Sequence, residues 1–413
     1  MSIVLPFKAI RPKEKFVKEV ASSPYDVLSV EEARKIAGNN PLSFLHVEKS
    51  EMDMLSHPGT DGDREYEIAK ANLDNLINQG ILFQEKMPCF YVYRQRMNDH
   101  EQYGIVARVS LAEYESGKIK KHELTRMDKE IDRTKHVATV NANTGPVFLT
   151  YIAQRSIDRM IKEIITEDPE YDFLADDGIS HTVWIVRDER VIEGMKDAFA
   201  TVDNLYIADG HHRAAAAAAV GRLRREQYPN GTGDEAYNYM MAVLFPHDQL
   251  KIMDYNRVVR DLHGLDIPGF FDSIRKKFAI SDDFREKSPQ KYHEFGMYMQ
   301  GKWFKLTARD GSFDEQDPIA VLDVAILQDN LLGPVLGIQD PRTDSRIDFV
   351  GGIRGMKELE RLVDSGDFAV AFSLCPTTLT QLMAVADAEK VMPPKSTWFE
   401  PKLRSGIFVN PLS

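Results

Sequence analysis

Cysteine is nearly absent from the 413 residues: Cys89 and Cys375 are the only two. Thiols so far apart, without CxxC spacing, exclude a disulfide framework and a thiolate zinc site. No apolar run approaches the ~18 residues that a membrane helix needs. The opening stretch MSIVLPFKAIRPKEKFVKEV lacks the apolar core of a secretory signal. These absences predict a soluble, cytoplasmic protein with no membrane partner. Positive charge is also in deficit, with 52 Lys and Arg against 64 Asp and Glu, a formal net charge of −12. Sequence-independent nucleic-acid binding needs a positive surface that displaces counterions, so nucleic acid is disfavoured as a partner. There is no internal repeat, and low complexity is confined to the alanine run 214–219.

What is present is globular: 43% hydrophobic and 28% charged residues, enough apolar surface to bury a core. The length suits roughly two or three domains. Residues 89–94 and 104–110 are β-rich runs, and the polar stretch between them suits a hairpin loop. Residues 64–79 read as a helix, with Ala69, Leu73, Leu76 and Ile77 on one face and Gly80 ending it. The apolar run 146–152 leads into a helix carrying Ile157, Met160, Ile161, Ile164 and Ile165. Runs at 182–187, 204–208 and 237–245 alternate with helices near 191–199 and from the alanine run onward. Such alternation predicts a mixed α/β, or α+β, fold. The texture changes at HGLDIPG, so the expected division is a first domain over 1–262 and an α+β cap or second domain over 263–413. In the latter we expect a hairpin at Gln300-Gly301, helices over 319–332, 357–363 and up to Ala388, and a strand over 368–374. The proline-rich tail from Met392 holds Trp398, Phe399 and Phe408 and reads as an ordered strap over the body.

The sharpest local signal is Ile207-Ala208-Asp209-Gly210-His211-His212-Arg213 ahead of the alanines. An apolar strand enters a one-glycine turn and then a helix of the best helix former. The first helical turn leaves backbone N–H groups without intrahelical partners and carries the positive end of the helix dipole, which suits an anion. His211, His212 and Arg213 crowd donors there, the arginine offering a planar fork for phosphate. Asp209 suits either a divalent cation or the orientation of a histidine. A simple strand–turn–helix junction with capping histidines fits the same letters. One glycine in the turn is too few for a Walker loop or a dinucleotide fingerprint.

Two weaker signals accompany it. His122-Glu123 precedes a helix near Arg126, where a carboxylate pairs with the helix dipole or serves as general base for a hydroxyl. The tail cations Lys395, Lys402 and Arg404 read either as a solvated surface or as holders of a substrate carboxylate or phosphate. His46 and His181 each flank an apolar run and read as structural histidines.

The segments PFKAIRP, NPLSFLHVEK, GKIKKHELT, GPVFLTY, LYIADGHHRAAAA and MPPKSTWFEPKLRSGIFV resemble, in order and over essentially the whole chain, a bacterial and archaeal family of uncharacterised domains, DUF1015. More distantly, the Asp-Gly-His-His-Arg turn with its small-residue helix is similar to the ParB/sulfiredoxin-like fold. Within it, the free L-serine kinases carry the same turn and an upstream His-Glu pair. This resemblance implies a ParB/sulfiredoxin-like core with large insertions and a kinase forming O-phosphoserine from L-serine with ATP or ADP and Mg²⁺. It also implies Gly210, His211, His212 and Arg213 on the phosphates, Asp209 on the metal, and Glu123, Asp209 and His211 in catalysis. Lys395 and Arg404 would hold the substrate carboxylate. Glu123 and Asp209 stand 86 residues apart, so an insertion must separate the two motifs. The chain lacks the Glu-Arg-Arg form of the turn found in chromosome-partitioning proteins, and lacks a basic helix-turn-helix. A non-catalytic nucleotide-binding regulator of ParB-like type is the alternative implied by the same turn.

Overall fold

Alternating apolar residues set the first sheet. Phe90 and Val92, Ile105, Ala107 and Val109, Val147, Leu149 and Tyr151, and Met240, Ala242 and Leu244 all point into one buried cluster. Each lies two residues from the next, so one face of every strand is apolar. The other face is buried as well, with Tyr91, Tyr93, Phe148 and Phe245 excluded from solvent. Burying a side chain of this size stabilises by roughly 1.5–3 kcal/mol. The computed structural model describes residues 2–54 and 63–413. They form two compact units, Met1–Leu250 with Pro401–Ser413, and Lys251–Glu400.

The largest sheet of the first unit has nine strands: β1 (Val4–Leu5), β2 (Phe90–Met97), β3 (His100–Ser110), β4 (Ile119–Lys120), β5 (Val147–Tyr151), β6 (Tyr171–Leu174), β7 (Ser180–Val186), β8 (Leu205–Asp209) and β9 (Tyr239–Pro246). Their spatial order is β4-β8-β5-β9-β3-β2-β7-β6, with β1 beside β3. The β4–β8 and β5–β9 pairs are parallel and the rest antiparallel. The unit's helices of ten residues or more among the described residues are α1 (Arg64–Asn78), α2 (Met127–Val140), α3 (Arg155–Ile164), α4 (Glu189–Ala200) and α5 (His211–Gln227). Ile157 and Ile161 of α3, Ile192, Met195 and Phe199 of α4, and Ala214, Ala217 and Ala218 of α5 bury their helical faces in that cluster. The architecture is mixed α/β, as expected from the alternation.

The expected loop between β2 and β3 is a two-residue turn. Pairing continues to Met97 opposite His100, and Asn98 takes the left-handed conformation at φ 55°. Polar residues between the apolar runs concealed this extension, because the partner strand supplies the hydrogen bonds that local hydrophobicity does not signal.

In the second unit the strands of the larger sheet are β10 (Tyr255–Val259), β11 (Phe278–Ser281), β12 (Glu294–Met299), β13 (Lys302–Ala308), β14 (Ile347–Gly351) and β15 (Val370–Leu374). They form an antiparallel sheet in the order β11-β13-β12-β15-β10-β14. The β12–β13 hairpin turns at Gln300 and Gly301, both at positive φ. Helices α6 (Ile267–Arg275), α7 (Met356–Asp364) and α8 (Leu379–Asp387) accompany the sheet. Leu359 and Val363 of α7, one turn apart, pack with Val258, Tyr298 and Ala371. The helix expected over 319–332 is shorter. It runs from Asp323 to Leu327 and then widens into a π-turn over Gln328–Leu332. The Asp317 carboxylate accepts the Ile319 and Ala320 N–H groups, holding that stretch in a turn.

The tail does not stay with one unit. Trp398–Glu400 pairs with Lys251–Met253 in the second. From Pro401 onward the chain belongs to the first, where Ser405 bridges Ser22, Val409 bridges Ile10 and Asn410–Pro411 pairs with Ala142–Asn143. The units thus divide at Leu250 and again at Glu400, whereas texture alone placed the joint at Leu262.

Candidate functional site

Strand β8 runs antiparallel to β5, with its register broken between Ile207 and Asp209. The chain then turns through Gly210 at φ 91°, a left-handed conformation that costs glycine nothing. His211 opens α5, and Ala214 N–H closes the first turn on the Gly210 carbonyl. The alanines behind it are short enough for the helix to lie close against the sheet, Ala214 and Ala216 being wholly buried.

His122 and Glu123 come to this turn from the segment between β4 and α2. The His122 and His211 rings meet edge to face, with centroids 4.5 Å apart. His211 Nδ1 lies 3.8 Å from Glu123 Oε2. Both imidazoles are buried, at 2% and 5% exposure, while the Glu123 side chain is 38% exposed. His122 lies against the Ile207 backbone, and beyond that contact neither it nor Nε2 of His211 has a hydrogen-bond partner among the described residues. Leaving a buried polar group unpaired costs about 1–3 kcal/mol, so this pair is expensive unless it serves a ligand. Burial pushes the His122 imidazolium down to about 4. Burial, then the neighbouring His122, pushes His211 well below its ordinary value. Both rings are therefore neutral near pH 7.

Three other residues of the turn are engaged within the protein. Asp209 Oδ1 accepts the Gly210 N–H at 2.9 Å, and Oδ2 accepts Lys402 Nζ at 3.1 Å. Burial alone would raise this carboxyl, but Lys402 and Arg213 overcome it and hold it well below the carboxylate range. Arg213 donates to the Pro146 carbonyl at 2.6 Å and to Asp26 at 3.2 Å, near the Tyr25 ring. His212 Nε2 accepts the Arg126 N–H at 3.0 Å.

The profile of the family described as "Protein of unknown function (DUF1015)" matches residues 4–325. The chain belongs to this family. No curated protein matches this DUF1015 chain. Among solved structures it is similar to a free serine kinase in complex with AMP, at 14% identity and a TM-score of 0.36, over 72% of this chain and 86% of that one. A conserved hypothetical protein from Pyrococcus furiosus gives 14% and 0.36, over 74% and 94%. SbnI with a C-terminal truncation, from Staphylococcus aureus, gives 10% and 0.40, over 73% and 85%.

The DUF1015 chain brings Glu123 within 3.8 Å of His211 and sets the His122 ring edge to face against the His211 ring. Each Asp209 oxygen accepts one protein donor, and Lys402 and Arg213 neutralise its charge, a setting with few of the oxygen ligands that Mg²⁺ takes. Nor is the Arg213 fork turned outward, since two protein acceptors hold it. Arg404 is buried and donates to Ser23, His181 and Asp177. Lys395 lies in the second unit, where its carbonyl accepts Arg257 and its ammonium faces the Tyr255 ring at 5.8 Å. Sequence reasoning missed Asp26 and gave Lys402 no specific partner. These contacts span 187 and 193 residues, and no local pattern announces them. No helix among the described residues is long and apolar enough to cross a membrane.

Proposed function

We propose that this chain is a small-molecule phosphotransferase whose acceptor is the hydroxyl of free L-serine and whose donor is ATP or ADP, built on an elaborated ParB/sulfiredoxin-like core. One observation carries the reading: the Glu123 carboxylate stands 3.8 Å from His211, at the N-terminus of a 17-residue helix. A base and an anion-favouring helix end then share one place. Glu123 takes the hydroxyl proton as the oxygen attacks the terminal phosphorus. The bond from that phosphorus to the bridging oxygen breaks, and the shortened nucleotide leaves. Transfer of this kind depends on positioning and charge stabilisation. The first turn of α5, with His211 and His212, supplies the dipole and ring donors toward the phosphate. Arg213 acts from behind, as a positive charge within the same turn. Mg²⁺ at Asp209 forms no part of this reading.

A non-catalytic nucleotide-binding regulator is the second reading. The internal engagement of Arg213 and Asp209 favours it, since groups already satisfied contribute less to a transition state. The decisive assay incubates purified protein with ATP or ADP, Mg²⁺ in the buffer, and a panel of amino acids and small alcohols, with products read by mass. O-phosphoserine together with ADP or AMP is the expected result. Nucleotide binding without any phosphorylated acceptor across the panel selects the regulator.

A further inference from the structure

We propose that His122, Glu123 and His211 bind one divalent transition-metal ion of the zinc type. Their ligand atoms all lie within 4.8 Å of one another. Around a tetrahedral ion with metal–nitrogen distances near 2.0–2.1 Å, ligand atoms stand roughly 3.3–3.4 Å apart. Small ring rotations therefore close the set without moving a strand or a helix. The buried, unpartnered nitrogens are the second, independent observation. His211 Nε2 has no hydrogen-bond partner among the described residues, and His122 has none beyond the Ile207 backbone. A metal ion removes that deficit, because neutral imidazole binds it through a lone pair.

The donor types decide the class of ion. Two imidazoles and one carboxylate suit zinc, cobalt, nickel or iron. Magnesium and calcium require mostly oxygen, and this set provides a single carboxylate. Asp209, the obvious further oxygen donor, is held by Lys402 and by the Gly210 N–H. Three protein ligands leave a fourth position open, the pattern of metal sites that also bind water or a substrate. Glu123, 38% exposed, gives the ion its way in.

This site goes beyond the phosphotransfer reading and competes with it for one residue. A carboxylate bound to a metal ion is no longer a base, so a transition metal on Glu123 would inhibit the proposed reaction.

The test uses the full chain, freed of metal by a chelator and titrated with Co²⁺. Visible d–d absorption reports the coordination geometry, and calorimetry reports the stoichiometry. One Co²⁺ per chain with a tetrahedral spectrum, displaced by Zn²⁺ and not by Mg²⁺, is expected. Glu123→Ala removes a half-exposed ligand and should leave the circular dichroism unchanged. It should weaken binding by at least the roughly 10–100-fold that loss of an outer partner costs. His122→Gln should do the same. A spectrum no different from aqueous Co²⁺, or equal affinity in wild type and Glu123→Ala, overturns the site. Phosphoserine formation without metal binding would overturn only this inference. Stoichiometric binding of the transition metal, with no phosphoserine from the chelator-treated chain assayed in Mg²⁺ buffer, would overturn only the kinase reading.

Discussion

In the first unit, several of the most deeply buried ionisable groups are histidines; in the second, one is a carboxyl. His181 lies between Tyr93 and Phe173, its rings stacked on both, and its nitrogens meet the Tyr93 hydroxyl at 2.7 Å and Arg404 at 3.4 Å. Burial, with Arg404 adding to it, pushes this imidazolium down to about 3. Asp323 of the second unit accepts the His293 N–H through one oxygen and leaves the other unpartnered among the described residues. Burial pushes its carboxyl up to about 7. Both groups are kept neutral for the same reason, the cost of charge in a low-dielectric interior. The consequences for stability run in opposite directions, because one gains charge on protonation and the other loses it. These two groups therefore respond oppositely to pH, His181 from a strand and Asp323 from the first turn of a short helix.

The largest expected effect concerns the proposed chemistry in the first unit. Glu123→Ala should lower phosphotransfer by about 10²–10⁴-fold, the usual contribution of a general base, with nucleotide affinity nearly unchanged. Rate and affinity measured on the same preparation check this, and wild-type turnover in the variant would remove Glu123 from the mechanism.

The pH comparison comes next. For His181 the unfolded chain binds a proton near 6.5 and the folded one near 3, so stability falls as pH drops through that interval, by up to roughly 4–5 kcal/mol. His181→Gln should flatten this slope in denaturant titrations run from pH 7 to pH 4, whatever it does to stability at neutral pH. For Asp323 the sign reverses. The folded carboxyl holds its proton up to about pH 7, the unfolded one only to about 3.8, so stability falls as pH rises between them, by up to roughly 4 kcal/mol. Asp323→Asn should be more stable than wild type at pH 8 and lose that advantage at pH 4. Parallel slopes in the two variants would break the contrast between the units.

Smaller effects test how the turn is supported. Lys402→Met leaves the Asp209 carboxylate without its cation and should cost about 1–3 kcal/mol. Gly210→Ala imposes a Cβ at φ 91° and should cost about 1–2 kcal/mol. Thermal denaturation resolves both, and a neutral Gly210→Ala would show that the turn can relax into another conformation.

Much of the scaffold was legible because its causes are local. The face of α1 carrying Ala69, Leu73 and Leu76 and the short-side-chain face of α5 follow from helical spacing. The turn at Gln300-Gly301 follows from backbone preference. The helix expected from 319 starts only at Asp323: Asp317 caps a single turn before it, which Val321 and Leu322 close, and nothing in the local pattern marks where that turn gives way to the helix. At the site, His122, Glu123 and the 209–213 turn stood out as residue types suited to chemistry, but their spacing of 86 residues gave no distance between them.

The sequence by itself determined that residues 209–213 form a strand-to-helix turn, that a His-Glu pair precedes another helix, and that the chain is mixed α/β. Periodicity, glycine and alanine act over a few residues and can be read in order. Only the tertiary structure decided that Glu123 meets His211, that Arg213 is held by Asp26 and Pro146, and that Lys402 neutralises Asp209. Those choices depend on which distant side chains the packed sheet brings within hydrogen-bond reach, and on how burial then reweights charge, neither of which is encoded in any short stretch of the chain.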